Sequence, residues 1–258
     1  MIKRKPLFIF FSVIKALFLR ELESRISQGK SGLFWTFTEP FFQVFVFVAL
    51  RSALIQSSSY NVPLFMAVGF VPFAMFRSIL SSSSGAFMAN KGLFNYKQVK
   101  PIDTILSRAL VELFLTCIVA MIFLVIGFFL HFDNLLPENT LMVLFAYFWF
   151  WIFAIGIGLI VGIGNTFFVS IGKIVSISTF GLMIFSAVFY PIVTLPPAAQ
   201  EILLYNPLVH FMEMIHGSYL YELDTQFVDY RYMLLWTVIP WFIGIWLYEM
   251  LERKIISA

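Results

Sequence analysis

The sequence predicts an all-α integral membrane protein, and three observations carry that expectation. Hydrophobic residues make up 60% of the 258 positions and charged residues only 12%, a balance foreign to soluble domains. The apolar residues fall in runs of about 20, the length of helix that crosses a hydrocarbon core about 30 Å thick. Between those runs the lysines and arginines collect on one side of the successive crossings. The chain reads as one membrane domain over 1–258, with no room for a separate soluble one.

The N-terminus begins Met1-Ile2-Lys3-Arg4-Lys5-Pro6 and continues into an apolar run from Leu7 to Leu19, interrupted by Ser12 and Lys15. A basic start before a short apolar stretch has the look of a signal peptide, but Arg20-Glu21 follows with no small-residue cleavage site. A run of about 13 residues is also too short to span. Ser12, Lys15, Arg20 and Glu23 share one helical face and Phe8, Phe11, Ile14 and Phe18 the other. An amphipathic interface helix over 7–23 fits that pattern.

Six spans follow, near 33–55, 62–86, 104–130, 140–163, 173–193 and 232–251. Six crossings put both termini on one side. Seven Lys/Arg precede Leu33, and Lys91, Lys97 and Lys100 lie between the second and third spans, with Arg108 just inside. Lys173 lies between the fourth and fifth, and Arg253 and Lys254 in the tail. The opposite side holds Asp133, Glu138, Glu201, Glu213, Glu222, Asp224 and Asp229, with only Arg51 and Arg231 near span ends. This asymmetry places both termini in the cytoplasm. The segment 194–230 holds Leu195-Pro196-Pro197 and Asn206-Pro207 around an apolar stretch too short to cross. It predicts two short helices dipping into the outer leaflet and packed on the spans, since irregular backbone at that depth needs protein or water to satisfy it.

The polar loop 90–103 carries three lysines and ends on Pro101-Ile102-Asp103. Its aromatics, Phe94 and Tyr96, have no obvious core to enter, so the loop is expected to be a cytoplasmic docking surface. Other motifs read more plainly. Gly29-Lys30-Ser31 has Ser24 where a phosphate-binding loop needs its first glycine, and no strand precedes it, so this chain holds no nucleotide there. Gly156, Gly158, Gly162 and Gly164 fit close helix packing, as do Ser81 to Ser84, for which a polar conduit wall is the alternative. Arg77 lies within a span, where a cation either snorkels to the interface or faces a pathway for an acidic substrate. Glu39-Pro40 sits early in a span, suited to capping its first turn, with a gating role as the alternative. Lone Cys117 excludes a disulfide framework, and no acid, base or metal constellation invites an enzymatic reading.

Three stretches resemble a known family. Leu17-Phe18-Leu19-Arg20-Glu21 with Gly32, Trp35 and Glu39-Pro40 resembles the approach to the first span in polysaccharide-exporting ABC-2 permeases. Asn90 to Tyr96 with Val99-Lys100-Pro101-Ile102-Asp103 resembles the loop of the capsule-exporter, KpsM-type branch. Tyr190-Pro191, Leu195-Pro196 and Tyr205 to His210 with Glu213 resemble the same family before its last span. Ser27 and His216 depart from it, standing where glycine and arginine are common.

The resemblance implies a transport subunit, without enzymatic activity or cofactor of its own, in the bacterial inner membrane. It would export lipid-linked capsular polysaccharide, powered by a separate ATPase subunit that holds ATP and Mg. O-antigen or teichoic acid is the alternative cargo, and an integral-membrane glycan transferase the rival class. A second copy of the chain would complete one channel, and a periplasmic adaptor and an outer-membrane export protein would continue the route; membrane lipid is a further partner and nucleic acid is not. Residues 90–100 would form a coupling helix, with Lys91, Leu93, Phe94, Asn95, Tyr96, Lys97, Arg20 and Glu21 meeting the ATPase. Arg25, Lys30, Trp35, Glu39, Phe42, Phe73, Arg77 and Tyr190 would line the substrate pathway, aromatics stacking on sugar faces and cations at the inner mouth attracting acidic chains or lipid headgroups. No metal site is expected.

Overall fold

The computed structural model describes residues 6–27, 30–54, 60–96 and 98–257, with the side chains of 6, 26–37, 52–54 and 257 outside that description. Lys97 therefore lies outside the described residues, as do the side chains of Lys30 and Trp35. Among the described residues every regular element is helical. In chain order they are α1 (Pro6–Ser27), α2 (Lys30–Leu54), α3 (Val62–Ser84), α4 (Ala86–Asn90), a 3-10 turn (Lys91–Asn95), α5 (Pro101–Phe129), α6 (Thr140–Phe167), α7 (Ser170–Ile184), a second 3-10 turn (Ile192–Thr194), α8 (Pro197–Leu203), α9 (Pro207–Tyr219) and α10 (Tyr230–Ser257).

Local chemistry sets the starts of the long helices. The Asn61 side chain accepts from Leu64 N–H at 3.1 Å and opens α3, with Pro63 in a first turn that needs no proline N–H. The Lys100 N–H donates to the Asp103 carboxylate at 2.9 Å as Pro101 begins α5. Asn139 caps α6 through Met142 N–H at 3.0 Å, and Asn206 caps α9 through Leu208 N–H at 3.1 Å.

Among the described residues four helices, α3, α5, α6 and α10, are long and apolar enough to cross a membrane. α2 has 25 residues and carries Glu39 and Arg51. The fifth expected crossing differs most. α7 is 15 residues long, about 22 Å at 1.5 Å per residue, and ends at Ile184 rather than running to 193. The chain reverses near Ala187, whose φ is +58, before the turn at Ile192–Thr194. Before α10 the chain forms two short helices that each begin at a proline, α8 and α9.

α3 sits at the centre. Phe65, Phe70, Phe73 and Phe76 on it are fully buried and meet Phe150 and Phe153 of α6 and Phe211 of α9. The Phe76 and Phe153 rings stack 5.9 Å apart with planes 9° from parallel, and Phe153 stacks on Phe211 at 4.9 Å. The outer faces of α5, α6 and α10 expose large apolar side chains such as Phe128, Leu141 and Phe242, which suits a lipid surround. The glycine cluster on α6 works as close packing. A Cβ at Gly162 would lie 2.9 Å from the Ser83 carbonyl oxygen of α3, and one at Gly156 would lie 2.8 Å from the Trp241 ring of α10.

Candidate functional site

The polar loop after α3 is not one helix over 90–100. α4 supplies a single turn, the 3-10 turn Lys91–Asn95 follows, and the backbone closes through Tyr96 N–H to Leu93 O and Val99 N–H to Tyr96 O, both 3.0 Å. The expectation that neither aromatic finds a core is corrected for Phe94. It is 7% exposed and joins the main hydrophobic cluster, whereas Tyr96 is 66% exposed. An apolar ring anchors the turn, and burying it stabilises the fold by about 2 kcal/mol. Lys91, Asn95 and Tyr96 face outward and Leu93 is half-buried.

Arg20 and Glu21, the other pair expected at the ATPase, reach into the protein. Arg20 Nη2 donates to Asn90 Oδ1, and buried Asn90 is itself fixed by its Nδ2 donating to Ala86 O at 2.7 Å. Glu21 lies 3.3 Å from Arg108 Nε, an ion pair that is not aligned as a hydrogen bond. Arg108 Nη1 donates to the Ser82 carbonyl at the end of α3. Glu21 also stands 4.0 Å from Arg25, and Arg25 pairs with Glu112. These contacts tie α1 to α4, to the C-terminal end of α3 and to α5. Sequence reading missed Asn90 and Arg108 as members of this set. The spacing of Arg108 and Glu112, one turn apart inside an apolar helix, was the available signal; Asn90 gave none.

Above this network lies a cleft of about 240 Å³ where α1, α2, α3 and α5 meet. It brings together Arg25, Glu39 and Arg77, three residues expected in the pathway, and adds Glu112, Ser78 and Thr116. Arg77 pairs with Glu39, so the intramembrane cation is neutralised within the chain. The other expected pathway residues do not join them. Phe73 is 1% exposed and packs against Phe76, which corrects its assignment to an open pathway surface of this chain. Phe42 is exposed on α2, and Tyr190 donates its hydroxyl to Ile184 O at 2.8 Å near the α7 reversal.

At the opposite end of α2, Arg51 Nη1 donates to Phe189 O at 3.0 Å, and the Arg51 guanidinium bonds Tyr60 Oη and lies 5.5 Å over its ring. Nearby, α9 buries two titratable groups. The Glu213 carboxylate accepts from Ile192 N–H at 3.1 Å, yet burial outweighs that bond and pushes its pKa up to about 7. His216 stacks on Phe65 at 4.0 Å. Neither ring nitrogen makes a full hydrogen bond, and burial drives its pKa down to about 3, offset only in part by the Phe65 backbone. Among the described residues no group of three His, Cys, Asp or Glu is placed to hold a metal ion.

Comparison with known proteins adds the wider context. The profile of the ABC-2 type transporter family matches residues 12–220. The polysialic acid transport protein KpsM of Escherichia coli is 30% identical over 247 residues, covering 95% of each chain. The capsule polysaccharide export inner-membrane protein BexB of Haemophilus influenzae is 31% identical over 210 residues, 80% of this chain and 78% of its own. The corresponding protein CtrC of Neisseria meningitidis serogroup B is 29% identical over 209 residues, with the same coverage.

Proposed function

We propose that this chain, which belongs to the ABC-2 type transporter family, is the permease subunit that moves capsular polysaccharide across the inner membrane, driven by a separate ATPase. The relatives supply the cargo class, since they are named for polysialic acid transport or capsule polysaccharide export. The chain is a multi-pass inner-membrane protein and a transport subunit, not an enzyme. In the finer reading, α2 and α7 join α3, α5, α6 and α10 as crossings, making six in one domain over 1–258. The Lys/Arg asymmetry supports cytoplasmic termini. Two copies complete one channel for lipid-linked polymer, a periplasmic adaptor and an outer-membrane protein continue the route, and the ATPase holds ATP and Mg.

One observation carries the coupling role: Arg20 of α1 is bound to Asn90 at the root of the exposed turn. Lys91, Leu93, Asn95 and Tyr96 make the docking patch, with Lys97 beside it. Phe94, Arg20 and Glu21 brace that patch from behind, so a push on the turn reaches α1 and α5 together. Arg25, Glu39 and Arg77 contribute to the inner mouth of the pathway, with Lys30 and Trp35 on the same stretch of chain and Phe42 and Tyr190 farther out.

The test is to co-express the chain with the capsule-export ATPase of the same cell, purify in lipid nanodiscs, and measure ATP hydrolysis alongside export in cells. Co-purification is expected, and Tyr96→Ala is expected to lower both permease-dependent hydrolysis and export while the folded yield stays unchanged. An ATPase that does not bind this chain, or a Tyr96→Ala variant with full coupling, sinks the proposal.

A further inference from the structure

The cleft between α1, α2, α3 and α5 holds four charged side chains at a depth where charge is costly. Arg77 lies about 10 Å from the Ser84 end of α3, and Glu112 about 16 Å from the Pro101 end of α5, at 1.5 Å per residue. At that depth ionisable groups face water or one another and mark a functional site by default. Packing alone does not require an open, half-polar cleft of about 240 Å³.

Its chemistry selects a class of ligand. Two guanidinium groups and two carboxylates give no net charge, and each cation already has a carboxylate partner. A phosphate or carboxylate entering here meets Glu39 and Glu112, so the cleft opposes an anion. Paired donors and acceptors instead match hydroxyl groups, each of which donates one hydrogen bond and accepts others. The Ser78 and Thr116 hydroxyls add to that rim. Pro40, Val71, Ala74, Met75 and Leu115 supply an apolar floor, and a sugar ring has just such a polar edge and C–H faces. One half of the rim is fixed, since the Glu112 side chain is 5% exposed, while Glu39 at 53% is free to swing.

We propose that this cleft is a subsite for a single neutral, hydroxyl-rich glycosyl unit, selected by hydrogen bonding and not by charge. The assignment rests on the polysaccharide-export reading and names the recognition chemistry at its inner mouth. Arg77 and Glu39 part to grip vicinal hydroxyls and re-pair when the unit leaves. Affinity per unit is weak, because a conduit must release what it admits.

The experiment places one cysteine in the cleft, Ser78→Cys, in a Cys117→Ser background. The full chain with its ATPase is put in nanodiscs, and alkylation by a small hydrophilic maleimide is timed. Maltotriose, at tens of millimolar, is expected to slow labelling at least threefold, inorganic pyrophosphate to leave it unchanged, and Arg77→Gln to remove the protection. Thr116→Cys gives the same readout if Ser78→Cys does not fold. Protection by pyrophosphate alone, protection by neither probe, or a cysteine that never labels overturns the subsite. Capsule export is measured in parallel. Full export without protection removes the subsite and leaves the permease reading standing, whereas no export from the wild-type pair removes that reading itself.

Discussion

Replacing Arg25 with Gln separates a buried ion pair from an exposed one in the same cleft. Its partner Glu112, on α5, has a side chain only 5% exposed. Without Arg25 that carboxylate stays buried without its ion-pair partner. Breaking a buried pair on one side typically costs about 3–5 kcal/mol, because the remaining charge loses its compensation. The Arg77–Glu39 pair is the internal control, since its carboxylate is 53% exposed and an exposed pair contributes under about 1 kcal/mol. The double variant Arg25→Gln/Glu112→Gln removes the stranded charge and is expected to recover most of the loss. Unfolding from mixed micelles with sodium dodecyl sulfate, followed by tryptophan fluorescence, reads all four proteins. The reasoning is refuted if Arg25→Gln costs no more than Arg77→Gln, or if the double variant is as unstable as Arg25→Gln alone.

Three further outcomes are expected. Gly162→Ala drives a methyl to 2.9 Å from the Ser83 carbonyl oxygen, which backbone cannot relieve, whereas a methyl at Gly85 meets nothing within 4 Å; the same titration should show a loss of about 1–3 kcal/mol for the first and little for the second. Phe94→Ala, which empties a buried position, should destabilise by about 3–5 kcal/mol, while Tyr96→Ala leaves the unfolding midpoint in place. On α9, Glu213 has a folded pKa raised from 4.5 to about 7, so its contribution is full below pH 4.5 and is lost as pH rises through about 7, roughly 3 kcal/mol in all. His216, depressed from 6.5 to about 3, acts oppositely: its contribution is full above pH 6.5 and falls as pH drops toward 3. Glu213→Gln should therefore remove the fall in stability between about pH 6.5 and 7 and uncover the His216 rise between about pH 4.5 and 6.5, where the two groups otherwise oppose each other; an unchanged pH slope in those windows contradicts the assignment.

The helices legible in advance were those with punctuation the chain states locally. Asn61 before Val62-Pro63 and Asn139 before Thr140 stand at the starts of α3 and α6, and the prolines at 196, 197 and 207 at those of α8 and α9, whereas α5 begins at Pro101, three residues before the span expected from 104. The end of α7 was not legible, because Ala187 carries its positive φ without the glycine that normally advertises one. Hydropathy runs on through the turn and lengthens the apparent span. Phe94 failed for a related reason: a loop has no period, so nothing in it says which of two aromatics turns inward. Arg20 and Glu21 were found by resemblance, but their partners Asn90 and Arg108 lie 70 and 87 positions away in sequence, a distance only the fold closes.

The pattern of polar ties also ranks the helices by how readily they shift. α1, α4, the C-terminal end of α3 and α5 are joined through Arg20, Glu21, Arg25 and Arg108, whose contacts are all partly buried. Among the described side chains, the N-terminal half of α2 is tied to its neighbours by one polar contact, the exposed Arg77–Glu39 pair. Its C-terminal end is held by Arg51 to Phe189 and Tyr60. A helix fixed at one end and loosely tied at the other pivots at little electrostatic cost, since parting an exposed pair costs under about 1 kcal/mol. On the proposed reading, force arriving at the exposed turn moves α1 and α5 as one body, and the compliance lies at α2, beside the cleft. A short reducible bis-methanethiosulfonate bridge between Glu39→Cys and Arg77→Cys, in the Cys117→Ser background, fixes that joint without touching the docking patch. It should leave ATPase binding intact and stop export until reduced; export that continues with the joint locked places the moving element elsewhere.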